Sequence, residues 1–471
     1  MYKLVDSFSV DGIINQRITL DVPLNYSKLN NGKITIVANI IQKYDPSIHV
    51  DSTVVFPDAV KPIAYLQGGP GFPCALSLTN SGYVKVLLEK GYLVILYDQR
   101  GTGLSSPIEV STMDRTVVRN DNELDDEHCK RQLEYILNFR ADNIVEDMEV
   151  IRKSLFGKKK WLLLGQSYGG FCSFTYMSRY PDSLEAVMVT GGVPPIGHTA
   201  DDVYRQTYKR TTERNVHYYR KYPQDIQRVK NILSYLSQND VRLPNGGKLS
   251  VERFQQLGIK FGASGGTDSL HAFVTEFWWA LDTSGAPTYS ILNQIQNESS
   301  FDTNLIYALF QEAIYCDGGR SEGQKSNWAA DRTRFAAGNE NYVYTESLAS
   351  SLSPVYFTGE MVYKSMYDDY VELAKLKKLA FALHENTSWS SLYNPEVLRE
   401  LSWEKLPVVS TTYFYDQYVD FQLTMDVKER IFQGNGNLRQ YITSEFFHNG
   451  LRADPERVLK SMFKLFDGEY D

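Results

Sequence analysis

Cysteine is scarce in this chain, and so are histidine, blocks of like charge and long apolar runs. The four cysteines, Cys74, Cys129, Cys172 and Cys316, have neither metal-ligand nor C-x-x-C spacing, so they read as small buried hydrophobes and no metal or cofactor is expected. No stretch approaches the roughly 18 consecutive apolar residues of a membrane span. The 49 basic and 57 acidic residues leave a net charge of −8 without a basic block, so neither nucleic acid nor an anionic membrane is an expected partner. The first residues, MYKLVDSFSVDG, lack the basic and apolar regions of a signal peptide, so a cytoplasmic location is expected. The N-x-S sequons at Asn25, Asn297 and Asn386 then read as chance. There is no internal repeat and no low-complexity tract.

Among the features that are present, size comes first. At 471 residues the chain exceeds the roughly 250–300 at which a single core stops growing, so a core domain with a large insertion is expected. Hydrophobic residues at 42% and charged ones at 23% are ordinary for a packed globular protein. Aromatics are abundant: 32 Tyr, 23 Phe and 6 Trp, many of them between 200 and 420, where they either pack or line a pocket.

The first fifty residues alternate like antiparallel strands, with Asn30-Asn-Gly as a turn between the apolar stretches starting at Ile18 and Ile34. Continuous apolar runs then begin at Ile63, Tyr92 and Trp161, as expected of strands buried on both faces of a parallel sheet, and the stretch from Glu185 reads as the next buried strand. A helix is expected from Asp142, a plausible N-cap, to Leu155, stopped by Gly157. This alternation predicts an α/β fold with a mostly parallel central sheet and helices on both faces. From about Pro194 to Trp403 the strand pattern lapses. Long helical segments replace it, at 202–222, 226–238, 269–281, 305–315 and 367–382. Strand patterns resume at Leu406 and Leu438, and a helix from Pro455 to Phe466 closes the chain. The expected organisation is a core of 1–193 and 404–471 split by a mainly helical cap at 194–403.

The run from Trp161 leads into Gly165-Gln-Ser-Tyr-Gly, a G-x-S-x-G nucleophile elbow in which a sharp strand-to-helix turn raises the serine hydroxyl out of the backbone. A serine nucleophile needs a base and a carboxylate that orients it, following in the order Ser, Asp, His at later strand ends. Asp416 follows the strand beginning at Leu406, and Asp420 competes with it; His448 follows the strand around Tyr441. Of the seven histidines, His49 and His128 precede Ser167, while His198, His217, His271 and His384 fall in the insertion or at its edges. The oxyanion that develops in acyl transfer needs two donors. These are expected to be the backbone N–H groups of Tyr168, just after the nucleophile, and Gly69, in the Gln67-Gly-Gly-Pro-Gly loop.

Gly68-Gly-Pro-Gly, Asp98-Gln-Arg-Gly-Thr-Gly-Leu-Ser and Gly165-Gln-Ser-Tyr-Gly-Gly, in this order, resemble the prolyl aminopeptidases (proline iminopeptidases) of the α/β-hydrolase fold, most closely their longer branch. The likeness continues through Phe261-Gly-Ala-Ser-Gly-Gly, Tyr307-Ala-Leu-Phe-Gln-Glu, Thr358-Gly-Glu-Met, Tyr415-Asp-Gln-Tyr-Val and His448-Asn-Gly-Leu-Arg. The resemblance implies Ser167 as nucleophile, His448 as base and Asp416 as its orienting acid, with Asp98 and Arg100 holding the oxyanion loop; the residue-level alternative for that last pair is a buried ion pair. It also implies release of an N-terminal residue, preferably proline, from short peptides through an acyl-enzyme. The departure is Gln67, where many relatives carry His.

A protonated α-amine in a dry pocket needs a carboxylate. Glu312 and Glu360 are flanked by apolar residues and match family motifs; Glu276, before Phe277-Trp-Trp, is a further candidate. Trp278, Phe261 and Tyr307 are candidate faces for the prolyl ring. Two other readings stay open: an esterase or amidase of the same fold acting on small acyl compounds, and a non-catalytic binding protein, against which the filled triad positions argue.

Overall fold

Nine strands form one sheet in the order β1-β2-β3-β5-β4-β6-β7-β8-β9. They are β1 (Lys3–Val10), β2 (Ile13–Pro23), β3 (Lys33–Lys43), β4 (Lys61–Leu66), β5 (Tyr92–Asp98), β6 (Trp161–Gln166), β7 (Leu184–Thr190), β8 (Val408–Tyr413) and β9 (Leu438–Thr443). The computed structural model describes residues 2–49, 53–57, 59–318, 323–432 and 436–469. β1 to β3 are antiparallel, and β3 meets β5 antiparallel with Val37 opposite Asp98. From β5 through β4 to β9 every pairing is parallel. The mostly parallel α/β sheet read from the alternating apolar runs is therefore present.

The continuous apolar runs exist because both sheet faces are covered. In β6, Trp161 and Leu163 join the core packed under the helices Ala141–Phe156 and Tyr168–Arg179, whereas Leu162 and Leu164 face the one under Gly82–Glu89 and Pro455–Asp467. Period-two alternation thus divides one apolar strand between two cores. The helix expected from Asp142 starts one residue earlier, with Arg140 as its N-cap in place of Asp142, and ends at Gly157 in a positive-φ conformation.

Between β7 and β8 the named elements are all helical, starting at Ala200–Lys221 and ending at Pro395–Glu400. One part of this stretch has its own core, in which Phe254, Phe261, Val274, Phe277 and Phe357 are buried together. Another part, including Tyr204, Phe310, Trp328 and Tyr367, is continuous with the core on one face of the sheet. The single helix expected at 367–382 is broken into Met366–Asp369, Val371–Lys375 and Lys377–His384. Most of the aromatic surplus packs here ring against ring, as in Tyr208 on Tyr342 at 4.9 Å and Tyr218 on Phe261 at 5.4 Å.

Candidate active site

Ser167 sits between β6 and the helix Tyr168–Arg179 with φ 54° and ψ −124°, a strained conformation for a residue with a side chain. Its N–H donates to Thr190 O at 3.0 Å, and its carbonyl accepts from Gly170 N at 2.8 Å, so the ends of two adjacent strands hold the turn. The glycines around it are required by close approach. A Cβ on Gly68 would stand 2.8 Å from Ser167 Cβ, and one on Gly169 would collide with Leu66 O at the end of β4. The glycine loop and the serine are therefore pressed together.

His448 Nδ1 lies 2.7 Å from Asp416 Oδ2. The other carboxylate oxygen of Asp416 accepts from Tyr418 N at 2.8 Å and Val419 N at 3.1 Å, which fixes the acid beyond β8. Gly191 lies against the pair: a Cβ there would be 3.1 Å from His448 Nδ1 and 3.2 Å from Asp416 Oδ2. His448 is also held from the insertion, since its N–H donates to Gly262 O at 3.1 Å and its ring meets Tyr418 edge-on at 4.7 Å. Asp420, the competing acid, accepts from Arg210 Nε at 2.8 Å and caps the helix Phe421–Ile431. It is Asp416 that the fold brings to the imidazole.

Ser167, His448, Gly68 and Gly69 line one cavity of about 680 Å³, together with Tyr307 and Glu360 from the insertion. That volume is in the range of small-molecule sites. Tyr307 donates to Glu360 Oε1 at 2.7 Å and stacks on Phe301, ring centroids 5.0 Å apart. Burial, above all, pushes the Glu360 carboxyl up to about 7; the charge of Asp416 adds to this, while His448, Tyr307 and Gln311 pull it back. For His448, burial works against the imidazolium, but the charge and hydrogen bond of Asp416, with the charge of Glu360, outweigh it and raise the histidine above its usual value. Tyr168 begins the helix after Ser167, with its ring buried. The Gly68 N–H is taken by Gln67 Oε1 at 3.0 Å. Among the described residues, no group of three or more His, Cys, Asp or Glu is placed to hold a metal.

Four expected substrate contacts lie elsewhere. Glu312 is fully buried outside the cavity lining; its oxygens each accept at 2.9 Å from the N–H groups of Ala329 and Ala330, and His384 Nδ1 lies 3.2 Å away. Glu276 is exposed to solvent. Phe261 is in the core of the insertion, and Trp278 packs at its edge under the Arg228 guanidinium, 4.7 Å from the ring. Flanking apolar residues mark burial, not the direction of the cavity. The pairing of Asp98 with Arg100 is also corrected. Arg100 contacts Asp147 through Nε at 2.7 Å and Nη2 at 2.5 Å, and Asp98 accepts from Cys74 N at 2.8 Å and Leu104 N at 3.0 Å. Asp98 therefore helps anchor the loop after β4 without Arg100, and Gln99 Nε2 donates to Gln67 O of the same loop at 3.0 Å. Sequence reasoning passed over Tyr418, Phe72, Tyr83 and Arg452, all on the cavity wall. Tyr418 and Arg452 had one available signal, their closeness in the chain to Asp416 and His448.

A family model described as alpha/beta hydrolase fold matches residues 61–275. The chain is 36% identical to a proline iminopeptidase of Aeromonas sobria, over 97% of this chain and 98% of the relative. It is 35% identical to a proline iminopeptidase of Aspergillus aculeatus, over 100% of this chain and 98% of that protein. Among the described residues no helix is long and apolar enough to cross a membrane. With relatives this similar over nearly their whole length, the chain belongs to the proline iminopeptidase family of α/β hydrolases.

Proposed function

We propose that this protein is a serine aminopeptidase that releases an N-terminal residue, preferably proline, from short peptides. The reading rests chiefly on one observation: the ionisable carboxylate of Glu360 shares a cavity with Ser167 and with the His448–Asp416 pair. An esterase acting on neutral acyl groups has no use for a buried acid beside its nucleophile, whereas a substrate ammonium requires one. The full-length relatives bearing the proline iminopeptidase name support the same substrate class. For the prolyl ring, the aromatic walls at Phe72, Tyr307 and Tyr418 offer apolar surface.

In the proposed reaction His448 takes the proton of Ser167 as the hydroxyl attacks the carbonyl, and Asp416 stabilises the imidazolium. The N–H groups of Tyr168 and Gly69 receive the oxyanion. His448 then protonates the leaving amine, and water resolves the ester by the same route in reverse. The four cysteines, all buried and free, support a cytoplasmic setting.

The test compares kcat/KM for a prolyl arylamide, its N-acetylated form and a short-chain ester. Rapid cleavage of the free-amine substrate with loss of most of the rate on acetylation is expected. An unchanged rate on acetylation, or a preference for the ester, would contradict exopeptidase action.

A further inference from the structure

We infer that Arg452 receives the free C-terminal carboxylate of a short peptide, so that the cavity reads both ends of its substrate. This rests on the aminopeptidase reading above and adds a second charged subsite to it. Arg452 lies in the turn Gly450–Ala453, directly after His448, and lines the same cavity as Ser167 and Glu360. Its Nη2 donates to Gln67 Oε1 at 2.8 Å. Gln67 is itself fixed by the Tyr65 hydroxyl and the Gly68 N–H, each donating to Oε1 at 3.0 Å. The guanidinium is thus oriented by a neutral partner, and among the described residues no carboxylate pairs with it. Most of its five N–H donors remain for a ligand.

The two charges bear on different walls of the cavity. Glu360 acts on Tyr307 and Tyr418, Arg452 acts on Tyr65 and Tyr83, and His448 feels both with opposite sign. The imidazole therefore shares one cavity with an anionic and a cationic group and feels both. With a substrate ammonium at Glu360 and the scissile carbonyl at Ser167, the leaving portion must extend past His448, which protonates its nitrogen. A peptide of two or three residues then ends near Arg452. A planar guanidinium matches a carboxylate through paired hydrogen bonds, and an amide or a continuing chain does not. The chemical class selected is a di- or tripeptide with both ends free.

The experiment measures kcat/KM for prolyl-alanyl-alanine as the free acid and as its C-terminal amide, with a prolyl arylamide alongside. In the wild-type enzyme the acid is expected to be favoured by roughly tenfold, as for one charge-assisted hydrogen-bonded contact. In Arg452→Met the acid-to-amide ratio falls to about one, and in Arg452→Lys it lies between. Taking the ratio within each variant cancels any loss common to both substrates, and the wild-type ratio needs no variant at all. Equal rates for acid and amide in the wild type, or a ratio that survives Arg452→Met, would overturn the inference. Failure of the wild type to cleave the arylamide is a separate result; it would bring down the aminopeptidase reading, and this subsite with it.

Discussion

The phenol of Tyr307 donates a 2.7 Å hydrogen bond to Glu360 on the wall of the cavity that holds Ser167. Burial and the neighbouring carboxylate push the Tyr307 phenol up, so it remains a donor. The acid is thereby held on the cavity wall, with a further side-chain hydrogen bond from Gln311. Glu360→Gln keeps the shape and removes the charge. It should lower kcat/KM for a prolyl arylamide by roughly 10- to 100-fold, the worth of a hydrogen bond to a charged group, chiefly through KM. Residual cleavage of an N-acetylated substrate should not change. Steady-state kinetics on both substrates checks this, and an equal loss on both would contradict amine pairing.

The pH profile carries a second prediction. His448 must be neutral to accept a proton from Ser167, and Glu360, its carboxyl pushed up to about 7, must be ionised to pair with the amine. Activity therefore falls as pH drops through the range in which both take up protons. Asp416 and Glu360 raise the His448 pKa against the opposing effect of burial, so the acidic limb of kcat/KM should have its midpoint above about 6.5, the ordinary histidine value. Glu360→Gln removes one of the raising charges and should move the limb to lower pH. A limb that stays put or moves upward would show that Glu360 neither titrates within it nor acts on the imidazole.

Arg100 and Asp147 form an ion pair whose side chains are both 0% exposed, and the Tyr26 and Tyr97 hydroxyls also donate to Asp147, each at 2.8 Å. Asp147→Ala leaves the guanidinium buried and unpaired, a loss on the order of 3–5 kcal/mol. Thermal unfolding should show a clear fall in Tm, while kcat per titrated active site is kept. A Tm within about 1 °C of wild type would mean that water reaches the site and replaces the acid.

Gly169→Ala tests the packing of the elbow. The added methyl meets Leu66 O, and neither backbone moves without displacing Ser167 or the glycine loop after β4. Overpacking should cost about 1–3 kcal/mol. The displaced nucleophile should cost on the order of 100-fold in kcat. Near-normal kcat would show that the turn relaxes without shifting the serine.

The parts of this molecule that could be read in the sequence are those governed by local rules. The run Trp161–Leu164 is apolar throughout because both its faces are covered, and the glycines after it are there because backbones touch. Asp416 and His448 could be found because strand ends and chain order restrict the choices. The insertion obeys no such rule. Phe261, Trp278 and Tyr307 have similar neighbours in the chain, and only long-range packing sends Tyr307 to the cavity and Phe261 into a core. Glu312 resembled Glu360 for the same reason, yet its oxygens are taken up by the N–H groups of Ala329 and Ala330. The partner of Arg100 was hidden because it comes from a helix packed across the sheet. The strand Lys3–Val10 could not be read either, since none of its residues is buried and half are exposed at the sheet edge.

The most direct test asks whether Ser167 is the nucleophile that His448 serves. The enzyme is treated with a fluorophosphonate and the adduct located by peptide mass mapping. We expect one adduct on Ser167, none in Ser167→Ala, labelling slowed by at least about a thousandfold in His448→Ala, and parallel losses of prolyl arylamide cleavage. An adduct on another residue, or a Ser167→Ala enzyme that still cleaves the arylamide at the wild-type rate, would contradict the account.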